Sequence, residues 1–279
     1  MSNDSRQNDL LQTRYGDQKK PNKLIVNPTI DVLLSHRSVR SFLEKPLPDG
    51  AIETMVAAAQ SAATSSNLHQ WSTVAVTDPE LKRQVWELAS GKDLAKNKFI
   101  LQAPVLFLWV ADLSRSNEIV KESGEELVVH DYLDSFVMAT VDATLAAQNA
   151  AVAAESIGLG YCYIGATRNH AQQLADLLRL PKHSYVTFGF AVGYPDESAN
   201  ASIRPRPVQD VVLHINHYDA EKSRNGLETY ESAYQQFRER LGLSPKTWNE
   251  AVVNSTKFSY MSGREKLRAA VSARGFLLK

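Results

Sequence analysis

Five consecutive residues, His36-Arg37-Ser38-Val39-Arg40, place an imidazole, a hydroxyl and two permanent positive charges in one short stretch. A phosphate is held by bidentate guanidinium donors with a hydroxyl close by, and Arg37 with Ser38 supplies both. Alone, the run also reads as a cationic helix C-terminus answering the macrodipole. Far along the chain, Arg204-Pro205-Arg206 offers a second pair of guanidinium groups on a backbone stiffened by proline. If the two runs converge, Arg37, Arg40, Arg204 and Arg206 surround one point and repel one another unless an anion sits there. Two further segments suit a planar ligand. Thr64-Ser65-Ser66-Asn67 carries hydroxyl and amide groups able to read a polar ring edge, or is a plain loop. Tyr163-Ile164-Gly165-Ala166 ends in two small residues that let a backbone N–H approach a flat surface, or simply makes a turn.

Other chemistries lack their residues. The chain holds no G-x-x-x-x-G-K-[ST], H-E-x-x-H or G-x-S-x-G. Gly158-Leu159-Gly160 with Gly165 has the wrong spacing for a dinucleotide fingerprint and reads as a helix C-cap and tight turn. His214 and His217 lie three apart without a matching cysteine or carboxylate, so no metal is expected. The single cysteine, Cys162, forbids an intrachain disulfide and reads as a buried, unreactive thiol between tyrosines. Lys+Arg and Asp+Glu are 31 each, for a net charge of zero. That balance argues against a nucleic-acid binder working by bulk electrostatics, but leaves room for a local basic pocket. Met1 to Gln18 is polar, and the most apolar stretch, Leu145 to Ile157, is interrupted by Gln148, Asn149 and Glu155. A soluble, cytoplasmic protein with no membrane partner is expected.

The elements that must position these groups follow from periodicity. Residues 1–27 read as a polar arm, disordered or ordered only against something else. A short helix from Thr29 carries Ile30, Leu33 and Leu34, capped by Asn27 or Thr29. Asp49 is expected to cap a second helix bearing Ile52, Met55, Val56 and Ala59. Thr73 to Thr77 reads as a strand, Asp78-Pro79-Glu80 as a helix start, and Pro104 to Ala111 as a strand buried on both faces. Val128 to Ile157 reads as a long Ala-rich helix, apolar over most of its circumference and so covered on several sides. A strand at Tyr161 to Ile164, a helix near His170 to Leu180 and a strand at Tyr185 to Val192 follow. The chain from Tyr218 is mostly helical. Helices and strands mix without strict alternation, which fits α+β or irregular α/β, helices packed around one sheet.

HRSVRSF, TSSN before an apolar strand, AAESIGLGYCYIGATRN, FGFAVGYP and RPRP stand in this order along the chain. Together they resemble the nitroreductase family, specifically the branch of oxygen-insensitive NADPH nitroreductases and NADPH-dependent flavin reductases. The resemblance runs from about Arg14 to about Asp219, and more loosely beyond. It implies an α+β nitroreductase-like fold with a central, mainly antiparallel sheet, forming a homodimer with one non-covalent FMN per subunit. Residues 28–279 would then be a single FMN-binding domain with a helical extension from about 218. By the resemblance, His36, Arg37, Ser38, Arg204 and Arg206 hold the FMN phosphate and ribityl chain. Arg40 lies by the N1/O2 edge as electrostatic support. The Ile164-Gly165-Ala166 backbone faces the N5 region, Tyr163 belongs to the cofactor site beside it, and Ser65, Ser66 and Asn67 contact the ring. NADPH or NADH delivers hydride, and a nitroaromatic, quinone or free flavin takes the electrons in a ping-pong cycle with no protein nucleophile.

Three departures from the family pattern stand out. Lys96-Asn97-Lys98-Phe99-Ile100 lacks the usual Gln, with Asn97 in its place. Asn67-Leu68-His69-Gln70 replaces N-L-Q. No arginine pair for an NADPH 2′-phosphate is in register near Arg240 and Lys246. Two rival readings are a flavin-sequestering protein with little turnover and a specialised flavoenzyme such as a dehalogenase.

Overall fold

The computed structural model describes residues 3–21, 23–199 and 201–279. Met1, Ser2 and Asn22 of the arm lie outside the described residues. In chain order the helices begin with α1 (Asn3–Tyr15), α2 (Pro28–Ser35) and α3 (Ala51–Gln60), before strand β1 (Trp71–Val76). Next come α4 (Pro79–Ser90), α5 (Phe99–Gln102), β2 (Val105–Asp112), α6 (Ser114–Ser123) and α7 (Leu133–Ser156). Then β3 (Gly160–Ile164), α8 (Ala171–Leu177), β4 (Ser184–Gly193), α9 (Ala220–Arg240), α10 (Trp248–Ser255) and α11 (Leu267–Ala273) complete the chain. By contact density it divides into residues 1–38 with 200–260, and residues 39–199 with 261–279.

The larger unit is built on a four-stranded, wholly antiparallel sheet of order β1-β2-β4-β3. Every residue of β2 is buried, as its unbroken apolar run requires. Side-chain alternation sends Val105, Phe107 and Trp109 to the face shared with α3 and α7. Leu106, Leu108 and Val110 go to the opposite face, with Val85 and Ala89 of α4 and Leu174 of α8. On the first face Phe190 stacks near Tyr161, ring centres 4.9 Å apart, and Trp71 lies 5.6 Å from Trp109. Full burial of each such side chain contributes about 1.5–3 kcal/mol.

The smaller unit is helical. Of the two candidate caps, Asn27 caps α2 by accepting the Ile30 N–H, and the helix begins one residue earlier than Thr29, with Pro28 at the first helical position. The arm contains α1, which polar composition did not reveal, and Leu11, Arg14 and Gln18 are buried. Tyr230 of α9 packs edge-on to Trp248, 5.5 Å away, and Thr247 with Glu250 forms a capping box on α10.

Some boundaries differ from the sequence expectation. The N-cap of α3 is Gly50, not Asp49: the chain turns at φ 76°, a left-handed conformation suited to glycine, and no side chain caps the helix. The long helix starts at Leu133 rather than Val128, because Val129–Asp131 form a 3-10 turn and Tyr132 is extended. The Leu133 N–H is satisfied by the carbonyl of Lys279. One side of α7 stays uncovered in the chain, with Leu133, Val137, Val141 and Leu145 exposed at every fourth position. Among the described residues α7 alone is long and apolar enough to cross a membrane. It instead packs on the sheet and carries a carboxylate, Asp142, that is 1% exposed.

Candidate functional site

In the smaller unit the two basic runs meet. Helix α2 ends at His36, whose ψ of 131° takes Arg37 and Ser38 out of helical geometry. The exit is held by Arg14, near the end of α1 and 6% exposed. Its Nη2 donates to the Leu34 carbonyl at 2.8 Å and to the His36 carbonyl at 2.9 Å. Its Nη1 donates to the Arg204 carbonyl at 3.0 Å. One planar guanidinium therefore joins the backbones of both runs.

The rest of the Arg204-Pro205-Arg206 backbone is also fixed. The Tyr230 hydroxyl donates to the Pro205 carbonyl at 3.2 Å, and Gln18 Nε2 donates to the Arg206 carbonyl at 3.1 Å. The Arg206 N–H donates to the Arg14 carbonyl at 2.8 Å. Pro205 is buried while Arg204 and Arg206 are exposed, so a rigid spine presents two outward cations. Their field reaches Tyr230: burial pushes its phenol up, and Arg206 and Arg204 pull it back. Arg204 and Arg240 each lie within 6 Å of the Phe237 ring centre, at 5.9 and 5.8 Å. This donor set suits a multiply charged anion.

In the larger unit, Asp142 of α7 organises the Thr64–Asn67 loop. Its carboxylate accepts the Ser65 N–H at 2.9 Å, the Gln70 N–H at 3.2 Å and the Thr64 hydroxyl. The Thr64 Oγ1 in turn accepts the His69 N–H at 3.0 Å. Arg115 holds the far end, donating to the carbonyls of His69 at 2.6 Å and Trp71 at 2.8 Å. Between these anchors Ser66, Asn67 and His69 adopt φ values of 50°, 58° and 49°, costly for non-glycine residues and sustained by the surrounding bonds. Among the described residues the side chains of Ser65, Ser66 and Asn67 make no hydrogen bond of their own. Gln70, 2% exposed, leaves its Oε1 without a protein partner among the described residues.

Arg40 is positioned by its neighbours. The Val39 N–H donates to the Tyr161 carbonyl at 2.8 Å, and Leu43 N–H to the Tyr194 carbonyl at 2.9 Å. Ser41 Oγ donates to Asp196 at 3.1 Å, leaving Arg40 exposed on a fixed segment. The strand β3 buries Ile164 and then turns at Gly165–Arg168, where Thr167 Oγ1 donates back to the Ile164 carbonyl at 3.0 Å. A Cβ at Gly165 would lie 3.1 Å from the Arg168 guanidinium, which donates to the Thr187 carbonyl at 2.7 Å. Tyr163 is partly exposed, and burial raises its phenol well above the ordinary value, so it is a neutral hydroxyl at working pH.

His36, Arg37, Ser38, Arg204 and Arg206 thus lie in the smaller unit, and Arg40, Ser65, Ser66, Asn67, Tyr163, Ile164, Gly165 and Ala166 in the larger. Sequence reasoning missed Arg14, Gln18, Tyr230 and Asp142. Only Asp142 left a signal, a carboxylate within the apolar middle of α7. The remaining polar candidates serve the fold: His214 Nδ1 accepts the Asp219 N–H at 3.2 Å, and Cys162 is buried. Asn97 takes φ 55° at the turn into α5, its carbonyl accepting the Ile100 N–H at 2.9 Å.

Residues 33–194 match the family model described as the nitroreductase family, and residues 204–279 match its C-terminal domain. The chain belongs to the nitroreductase family. It is 36% identical over 257 residues to the "FMN reductase (NADPH)" of Bacillus subtilis (strain 168), covering 90% of this chain and 99% of that protein. Among solved structures, NfrA1 nitroreductase from B. subtilis superimposes with a TM-score of 0.81 at 34% identity, over 90% of this chain and 100% of that one. The Vibrio harveyi NADPH:FMN oxidoreductase complexed with NAD+ gives 0.78 at 30% identity, over 91% of this chain and 100% of that one. The α+β fold with its antiparallel sheet is therefore that of the nitroreductase family.

Proposed function

We propose that this chain is an FMN-dependent NAD(P)H oxidoreductase that passes hydride by a ping-pong cycle to nitroaromatics, quinones or free flavin. The observation that carries the reading is the junction at Arg14, which brings the His36 and Arg204 backbones onto one guanidinium. Two basic runs joined in this way gather guanidinium and hydroxyl donors suited to an anion, and a flavin phosphate fits them. His36, Arg37, Ser38, Arg204 and Arg206 hold the phosphate and ribityl chain. Ser65, Ser66 and Asn67, with polar atoms unused by the protein, orient the ring. Arg40 provides positive charge at the ring's N1/O2 edge, and the Ile164-Gly165-Ala166 backbone lines the N5 side, with Tyr163 beside it. Bound FMN supplies the two-electron chemistry, so no side chain of the protein is asked to act as nucleophile. The names of the relatives support NADPH as one reductant.

The exposed stripe of Leu133, Val137, Val141 and Leu145 supports a homodimer formed through α7. Residues 28–279 act as one FMN-binding domain of a soluble, cytoplasmic protein, preceded by the polar arm.

The reading is tested by adding FMN to the purified protein, desalting, and recording the visible spectrum. A retained flavin band is expected. R37A combined with R206A is expected to weaken FMN binding by two orders of magnitude or more, about 3 kcal/mol, while the fold persists. A wild-type protein without retained flavin, or an undiminished band in the double variant, contradicts the proposal.

A further inference from the structure

We propose that Arg14 and Gln18 are positioning residues for the flavin phosphate: they set the spacing of the two basic runs, and with it the discrimination between FMN and unphosphorylated flavin. The proposal rests on the FMN reading above and extends it to a segment outside both stretches matched by the family models, which begin at residues 33 and 204.

Arg14 is almost fully buried. Three of its donor contacts go to main-chain carbonyls, those of Leu34, His36 and Arg204, at 2.8, 2.9 and 3.0 Å. These acceptors lie 20, 22 and 190 positions away in sequence. A guanidinium is a rigid plane, so binding carbonyls from two chain segments at once fixes the distance between the segments. Lysine would keep the charge but not the plane. Gln18 fixes the other end of the tripeptide, its Nε2 bridging the Tyr15 carbonyl at 2.8 Å and the Arg206 carbonyl at 3.1 Å. The Arg206 N–H returns a bond to the Arg14 carbonyl at 2.8 Å.

The arm thus holds the backbone behind the cationic side chains and leaves Arg204 and Arg206 exposed. Donors held in advance lose little freedom when an anion arrives, which favours a phosphate and leaves a neutral ligand unaffected. Riboflavin has the same ring without the phosphate, so the ratio of the two affinities reads the cradle alone. A residue that only stabilised the fold would move both affinities together.

The experiment titrates full-length wild type, R14K, R14A and Q18L with FMN and with riboflavin, following quenching of flavin fluorescence. R14K, which keeps charge and stem, is expected to raise the FMN dissociation constant about tenfold or more while the riboflavin constant stays within about twofold. Q18L is expected to shift the ratio in the same direction by less, and R14A by at least as much as R14K. If R14A does not fold, R14K and Q18L still decide the matter. An unchanged FMN-to-riboflavin ratio in both overturns the proposal, whether the two constants stay put or rise in parallel. A wild-type chain that binds riboflavin but shows no preference for FMN overturns it as well. A wild-type chain that binds neither flavin overturns the cofactor reading, and this inference with it.

Discussion

The carboxylate of Asp142, in the middle of α7, accepts the main-chain N–H of Ser65 at 2.9 Å. It accepts the Gln70 N–H and the Thr64 hydroxyl as well, so a helix buried on the sheet fixes the shape of a loop that carries three left-handed residues. An ionised carboxylate is an acceptor only and suits three donors. D142N turns an amide NH2 towards one of them. Unfolding in urea is expected to show a loss of about 1.5–3 kcal/mol, the usual contribution of hydrogen bonds to a charged group. With the loop against the ring, as proposed, FMN and riboflavin should weaken together, in contrast to R14K. Selective loss of FMN would contradict this division of labour.

Glycine placement separates two causes of strain. A Cβ at Gly160 would lie 2.5 Å from Val39 Cγ2 and 2.9 Å from Pro195 Cγ, so G160A forces the segment bearing Arg40 away from β3. A destabilisation of about 1–3 kcal/mol is expected from overpacking. Gly158 has φ 81° and open space around it. G158A is expected to cost about 1–2 kcal/mol through backbone conformation alone. Only G160A should also alter flavin binding, which a titration beside the urea curves will show.

Val137 and Val141 sit on the uncovered side of α7. Light scattering after gel filtration is expected to give a dimer for the wild type and a monomer for V137E combined with V141E. A wild-type monomer, or a double variant that stays dimeric, contradicts an interface on this stripe.

Stability is expected to fall on mild acidification. Burial pushes both His130 and His183 below their ordinary 6.5, with the charge of each surrounding cation acting the same way on His183 and Asp131 opposing. The unfolded chain therefore binds protons that the folded chain refuses, and stability rises with pH in that interval. Their contribution is fully present above 6.5 and is lost as pH falls from there through the folded-state values. The melting temperature should be flat from about pH 7 to 8 and decline below about 6.5. In H183Q the decline should be shallower; an unchanged slope would remove His183 from the account.

The strands were legible because burial on both faces leaves an unbroken apolar run, as in β2, and the start of α4 because Asp78-Pro79 combines cap and pre-set φ. The charged candidates were legible as types: His36 to Arg40 and Arg204 to Arg206 carry the donors that the proposed anion site uses. Their junction was not, since it rests on Arg14 bonds to carbonyls, which every residue possesses. The helix of the arm was hidden for the same reason, its order coming from tertiary contacts and not from periodicity. Asp49 was a sound cap by type, but the turn after Pro48 demanded a left-handed residue and Gly50 took the position.

Anaerobic mixing of the FMN-loaded protein with NADPH, followed at the visible flavin band and then exposed to a nitroaromatic or quinone, tests the central claim most directly. The account predicts bleaching within seconds and recovery of the band on adding the acceptor. A flavin that stays oxidised with both NADPH and NADH would make the protein a flavin binder and contradict the assignment as an oxidoreductase.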